Sequence, residues 1–164
     1  VKGTRYSIRD LVRDEELAKK YEDGTCLVFR LCVHHYHRYA YPDNGRKTKN
    51  TFIPGVLHTV RPVALRELPV FTENAREYTV IRSENFGDVL QMEVGAMLVG
   101  KIDNYHQEAD VRRGQEKGRF LYGGSTIILL LEPGTAAVTE KFFEATRAGE
   151  ETEVKMGEAI GRRG

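Results

Sequence analysis

Tyr122-Gly123-Gly124-Ser125-Thr126-Ile127-Ile128-Leu129-Leu130-Leu131 is the stretch from which the rest of the chain is read. A glycine pair delivers a hydroxyl to the start of an unbroken apolar run, and Pro133-Gly134 ends that run. Five apolar residues between turn signals predict a buried strand. Glycine reaches backbone angles closed to other residues, so the Gly124 carbonyl can sit strained and open to attack. Ser125, next along the chain, would then be an intramolecular nucleophile at very high effective concentration. Gly-Gly-Ser-Thr is also an ordinary way of turning into a strand, and these residues alone leave both readings open.

Outward from this run the chain is a series of short strands. They are expected at Thr25 to Val33, Tyr36 to Tyr41 after a break at His34-His35, Thr51-Ile53, Thr59-Val60, Glu77-Ser83, Val89-Val94, Met97-Ile102, Arg119-Leu121 and Thr126-Leu131. Glycine or proline separates most of them, and Pro42-Asp43-Asn44-Gly45 has the chemistry of a turn. Ser7-Ile8-Arg9-Asp10 has the form of a capping box. The apolar stripe Ile8, Leu11, Val12, Leu17, Ala18, Tyr21 predicts one helix or two short ones, closed by Asp23-Gly24. Thr139 is placed to cap a short helix through Phe142, Phe143 and Ala145 that stops at Gly149. The expected fold is α+β and mainly β, a compact sheet sandwich or barrel-like core with peripheral helices, in a single domain over 1–164.

The chain has 164 residues and a net charge of +1, so no global field argues for nucleic acid. No apolar run approaches the roughly 20 residues of a membrane-spanning helix, and no signal peptide is seen, which makes the cytoplasm the expected compartment. A first residue Val1 suggests a processed or truncated beginning. Cys26 and Cys32 lie about 20 Å apart if Thr25 to Val33 is one strand, too far for a disulfide, and both are expected as buried thiols.

Several motifs follow one another in the order of a known family: Tyr36-His37-Arg38, Pro54-Gly55-Val56-Leu57-His58-Thr59-Val60, Glu73-Asn74-Ala75-Arg76-Glu77, Val94-Gly95-Ala96-Met97-Leu98-Val99-Gly100, and Lys117-Gly118-Arg119-Phe120 leading into Gly123-Gly124-Ser125-Thr126. From about Thr25 to its end the chain resembles the pyruvoyl-dependent phosphatidylserine decarboxylases. Its Gly-Gly-Ser-Thr is similar to the second bacterial type, not to the type bearing Leu-Gly-Ser-Thr.

The resemblance implies self-cleavage. The Ser125 hydroxyl attacks the Gly124 carbonyl, and the product is a β chain of residues 1–124 and an α chain of residues 125–164 whose first residue has become a pyruvoyl group. That ketone forms a Schiff base with phosphatidylserine and acts as electron sink while carbon dioxide leaves, giving phosphatidylethanolamine. The implied partners are phosphatidylserine, the cytoplasmic face of a membrane reached peripherally, the two chains of one precursor, and possible further copies in a homo-oligomer. Two alternatives stay open: a relative that binds a lipid or other ligand without cleaving, and a pyruvoyl decarboxylase of another amino-acid substrate.

The resemblance ties His37 to the decarboxylation step, and histidine can give and take a proton near neutrality. Many members carry a second histidine, in Tyr-His-Arg-x-His, as base for self-cleavage with an upstream Asp; Ala40 stands in its place here. His34, His35 and His58 are substitutes, and His58 is preferred because its motif lies near the family's site. On a strand His35 and His37 would share a face and could chelate together, but nothing completes a ligand set and no metal is expected. Gly95, Ala96 and Gly123 are candidates for substrate contact, since small residues let a ligand approach a strand; Gly95 and Gly100 equally suit tight sheet packing. Arg46, Lys47 and Lys49 read as a basic cluster in a solvated loop that could meet anionic headgroups.

Overall fold

The computed structural model describes residues 6–61, 64, 68–97, 101–121 and 125–164. Among these, four short α-helices accompany twelve β-strands. Ser7 accepts the Asp10 N–H at 3.0 Å and starts α1 (Ile8–Val12). Arg13 then turns left-handed (φ 53°), and Asp14 starts α2 (Glu15–Lys19) by accepting the Leu17 N–H at 3.0 Å. A capping side chain straight after a left-handed residue ends one helix and begins another, so the amphipathic stripe divides.

β1 (Thr25–Leu31), β5 (Arg76–Ser83), β6 (Gly87–Val94) and β10 (Ser125–Leu131) form the body of a large antiparallel sheet, with β3 (Gly45–Lys47), β8 (Ala109–Val111) and β4 (Thr51–Ile53) at the side of β5. The order is β1-β10-β6-β5-β3-β8. β10 is paired on both sides, with β1 from Thr25↔Leu131 to Leu31↔Ser125 and with β6 from Leu90↔Leu130 to Val94↔Thr126. A second sheet has the order β2 (Arg38–Ala40), β9 (Glu116–Leu121), β7 (Lys101–Asn104).

Period-two alternation divides the large sheet into two faces. Leu90, Met92, Val94, Ile128 and Leu130 point to the side where Leu11, Val12, Tyr21, Val70 and Phe71 complete a core. α3 (Val70–Glu73) belongs to that side. Arg76, fully buried, staples it together: Nε donates to Leu11 O at 2.7 Å, Nη2 to Asp10 O at 2.9 Å and Nη1 to Thr72 O and Asn74 O at 2.8 and 2.9 Å. The opposite face, carrying Glu77, Gln91 and Glu93, meets the smaller sheet through bonds to Asn104, Ala40 and Lys117. The arrangement is mainly β and sandwich-like; the sheets remain open and no barrel closes among the described residues.

Several elements depart from the sequence reading. Thr59-Val60 makes no strand; its neighbour His58 is held by a side chain instead. Met97 is exposed and unpaired in sheet, β7 begins at Lys101, and residues 98–100 lie outside the described set. Cys26 is exposed and Cys32 half-buried, because β1 is an edge strand with one open side. Lys47 is in no solvated loop: it sits in β3, 1% exposed, donating to Asn50 Oδ1 at 2.8 Å and to the carbonyls of His106 and Gln107. Burial, with nearby Lys117, brings its ammonium down to about 8. Arg46 faces Glu108 and Asp110 at 3.0 and 3.1 Å. After β10, Gly134 (φ 73°) turns the chain into β11 (Ala136–Val138), which pairs with β12 (Gly161–Arg163). Between them α4 (Glu140–Arg147) follows Thr139, whose hydroxyl makes no capping bond, and buries no residue.

Candidate active site

Ser125 heads β10 opposite Leu31. One step beyond the Val94↔Thr126 pair, Gly95 is the next residue on the other side. Alternation turns Ser125 toward the smaller sheet, with Ile127 and Glu93, and Thr126 away from it. The residue is completely buried, and its Oγ has no hydrogen-bond partner among the described residues. Gly123 and Gly124, the other half of the motif, lie outside those residues, as does Gly100.

At this end the chain passes between the sheets twice. β1 leaves the large sheet at Leu31 and enters the smaller one as β2 at Arg38; β9 leaves the smaller sheet at Leu121 and the chain re-enters the large one at Ser125. Leu31↔Ser125 ties one end of the pair and Arg38↔Arg119 the other. His37 lies in the first crossover, its carbonyl accepting the Phe120 N–H at 2.9 Å. Register alone thus sets His37 beside Phe120, near the end of β9.

His37 Nδ1 is 2.7 Å from His35 O. A carbonyl only accepts, so Nδ1 carries the hydrogen and Nε2 the lone pair in the neutral ring. Nε2 is buried without a partner among the described residues, and the ring stands edge-on to Phe120 with centroids 6.5 Å apart. His35 and His37 do not share a strand face as chelators would. The segment is a turn, closed by His35 N–H to Cys32 O at 2.9 Å, and His35 Nδ1 is occupied by the Cys32 N–H at 3.1 Å. His34 packs edge-on against His35, centroids 4.4 Å apart. Among the described residues no group of three His, Cys, Asp or Glu side chains is set to hold a metal.

His58 lies on the opposite flank, half-exposed, its Nε2 2.8 Å from Glu73 Oε2. Asn74, fully buried, fixes its backbone: Oδ1 accepts the His58 N–H at 2.9 Å, while Nδ2 donates to His58 O at 2.8 Å and to Gly95 O at 2.7 Å. Gly95 donates to Ala75 O at 2.9 Å. A Cβ on Gly95 would lie 3.1 Å from Ala75 O and 3.2 Å from Leu57 Cδ2, so its bare side meets the chain's own backbone and Leu57; Ala96 is buried beside it. Replacing Asn74 by alanine removes three bonds and strands two carbonyls, and a loss of about 2–4 kcal/mol is expected in urea titration. His58→Ala, at an exposed pair, should cost under about 1 kcal/mol.

On the face of the large sheet that Ser125 shares, the sequence reading assigns no role to Glu93, and Lys117 enters it only as part of a motif. β9 carries a bulge: Tyr39 faces Gly118 and Ala40 faces Glu116, leaving Lys117 as the extra residue. A bulge re-aims a side chain, and Lys117 turns inward to Glu93, Nζ–Oε2 2.5 Å, with both side chains wholly buried. Asn104 links the pair to its surroundings, accepting from Lys117 at 2.8 Å and from Tyr39 Oη at 3.2 Å and donating to Glu93 Oε2 at 3.1 Å and Glu77 Oε1 at 2.8 Å. Burial pushes the Glu93 carboxyl up and the Lys117 ammonium down, and each charge holds the other back in part. Leu90-Gln91-Met92-Glu93-Val94 alternates apolar and polar, which reads equally as a strand with one solvated face; only the second sheet reveals that the polar face is covered.

Residues 1–162 match the model of the phosphatidylserine decarboxylase family. The chain is 47% identical over 161 residues to phosphatidylserine decarboxylase proenzyme 2 of Clostridium acetobutylicum, covering 98% of this chain and 55% of that protein. It is 44% identical over 163 residues to the phosphatidylserine decarboxylase proenzyme of Clostridium botulinum (strain Hall), 98% of this chain and 55% of that protein. With the proenzyme of Clostridium tetani it shares 41% identity over 165 residues, 99% and 56% of the two. The chain thus spans about half the length of the curated relatives it matches.

Proposed function

The chain belongs to the phosphatidylserine decarboxylase family, and on that premise we propose that it carries out self-processing at Ser125 and pyruvoyl-dependent decarboxylation of phosphatidylserine to phosphatidylethanolamine. The observation that carries this reading is the Ser125 hydroxyl, fully buried yet without a partner among the described residues. Leaving a buried hydroxyl unpaired costs about 1–3 kcal/mol, and at the head of the Ser125 motif that cost supports a role beyond packing. The same atom is the test of fit for a pyruvoyl group. A side chain with no hydrogen bond to the described residues can change chemical identity without breaking one to them.

When formed, the group supplies an electron sink for the charge left as carbon dioxide departs. The protein's own residues do the rest. β10 stays pinned between β1 and β6 along its length, so scission before Ser125 leaves the new chain start in place and the two chains associated. His37, oriented by its Nδ1–H to His35 O, presents Nε2 as the atom that takes up a proton and returns it to carbon. Exposed Val33 and Tyr36 lie on the crossover at one flank, and Val56, Leu57 and Met97 at the other. An apolar rim at the site's end suits a lipid substrate drawn from a bilayer, and we place the working enzyme peripherally on the cytoplasmic side of a membrane. Among the described residues no helix is long and apolar enough to cross one.

Intact-mass measurement of the full-length natural protein tests the reading. Two chains divided between Gly124 and Ser125, the smaller lacking a free amine, are expected, together with carbon dioxide release from phosphatidylserine vesicles in preference to free serine. One uncleaved chain with an ordinary serine sinks the proposal.

A further inference from the structure

Six buried side-chain atoms lack a hydrogen-bond partner among the described residues: Tyr21 Oη, His37 Nε2, Gln91 Oε1, Glu93 Oε1, Ser125 Oγ and Thr126 Oγ1. Three of them, on Gln91, Glu93 and Ser125, alternate onto the one face of the large sheet that the smaller sheet covers, and His37 Nε2 belongs to the crossover beside Ser125. Unpaired polar atoms are scarce in folded proteins, so their concentration on one inner face marks a place built for more than packing. Glu93 is the one carboxylate among them. It sits directly across from Ile127, and Ser125 is the next residue of β10 on that face. Such diagonal neighbours are about 7–8 Å apart at the backbone, within reach of a long side chain or of one bridging water.

Lys117 and Asn104 both engage Oε2 of Glu93, at 2.5 and 3.1 Å, and leave Oε1 unengaged. The carboxylate is therefore held by one oxygen and open at the other. We infer that Glu93 is the proton acceptor for Ser125 in self-processing, with Lys117 as the residue that positions it. In this step Ser125 Oγ bonds to the carbonyl carbon of residue 124 as the C–N bond breaks. The hydroxyl proton passes through the Glu93 carboxylate to the departing nitrogen, giving an ester and a free amine with no other reactant. A carboxyl pushed up by burial holds a proton more readily near neutral pH than an exposed one, as a group that must take and return it requires. His58, the base preferred on sequence, is half-exposed and engaged by Glu73 on the far side of Gly95.

The inference rests on the self-processing reading, and the experiment keeps the two apart. Cleavage of freshly made full-length protein is followed by intact mass for the parent and for E93Q, E93D, H58A and the double variant E93L/K117M, with thermal unfolding of each. The parent and H58A are expected to cleave alike. E93Q should slow cleavage at least about 100-fold, and E93D, which keeps a carboxylate, should stay within about tenfold of the parent. Should E93Q fail to fold, the double variant decides, since replacing a buried ion pair by apolar residues of similar volume is commonly tolerated; it is expected to fold and remain whole. Cleavage of a folded E93Q or E93L/K117M at the parent rate overturns the assignment while leaving self-processing intact. So does E93D as slow as E93Q with an equal loss of stability, which would make the pair structural. An uncleaved parent overturns both.

Discussion

Ser125→Ala is expected to leave the protein as one chain, without pyruvoyl group or decarboxylase activity, and no less stable than its parent by more than about 1 kcal/mol. The two halves of this expectation come from one atom. Ser125 Oγ is wholly buried and accepts or donates no hydrogen bond among the described residues, so its removal breaks none with them. It also relieves the desolvation of an unpaired hydroxyl, which by itself favours the alanine variant. The strand on either side is held by backbone pairing to β1 and β6, which the substitution leaves alone. Most serine substitutions confuse loss of chemistry with loss of structure; here the structure separates them. Intact mass and thermal unfolding on the same sample give the answer. Division at the same bond in the alanine variant would show that Ser125 is not the nucleophile, and destabilisation well beyond 1 kcal/mol would show that its hydroxyl was engaged after all.

What could be read from the residues followed from how local each signal was. Ile127 to Leu131, five apolar residues between turn signals, reads as a buried strand, and β10 is paired on both sides. The Ser7 cap was legible for the same reason, since its partner Asp10 N–H lies three residues away. The apolar stripe that follows allows one helix or two short ones, and the left-handed Arg13, a residue with no preference for that conformation, decides for two. β3 and β8 escaped notice because Gly45-Arg46-Lys47 and Ala109-Asp110-Val111 are short, and Arg46 and Asp110, charged residues that commonly face solvent, are paired with each other across the strands. Lys47 reads as solvated from sequence for a related reason: nothing local announces that the carbonyls of His106 and Gln107 lie ready to receive its ammonium.

The candidate site divides along the same line. Ser125 and His37 stand in short motifs whose residues are contiguous, so a resemblance could carry them. Glu93 and Lys117 are 24 positions apart, and only a β-bulge in one sheet and the facing of two sheets bring them together. Gln91 and Glu93 alternate with apolar residues, a pattern that fits equally a solvated face and a covered one. Whether an alternating strand has a wet side is a property of what covers it, and β2, β9 and β7 supply that cover from outside the strand's own segment.

His37→Gln is expected to leave self-processing nearly unaltered while lowering the rate of carbon dioxide release by about 10²–10⁴-fold, the range typical of a lost general acid or base. In the native site one imidazole nitrogen is spent on orientation and the other is free: Nδ1–H is fixed by His35 O at 2.7 Å, and Nε2 is buried with no partner among the described residues. Glutamine fills a similar volume against Phe120 and offers an amide near the position of Nε2, but an amide cannot pick up a proton near neutral pH and hand it back. His37→Asn makes the complementary cut, since its amide can still donate toward His35 O while nothing reaches the position of Nε2. If orientation were the whole contribution of His37, the asparagine variant would retain activity and the glutamine variant would lose it; if proton transfer is the contribution, both fall together. The comparison with Glu93 then gives an order to the two chemistries. A Glu93→Gln protein should accumulate as an uncut chain, whereas a His37→Gln protein should be cut, carry its blocked new chain start, and stall on substrate. Carbon dioxide release from a cleaved His37→Gln protein at the parent rate would remove His37 from the decarboxylation step, and failure of that protein to cleave would move it to the earlier one.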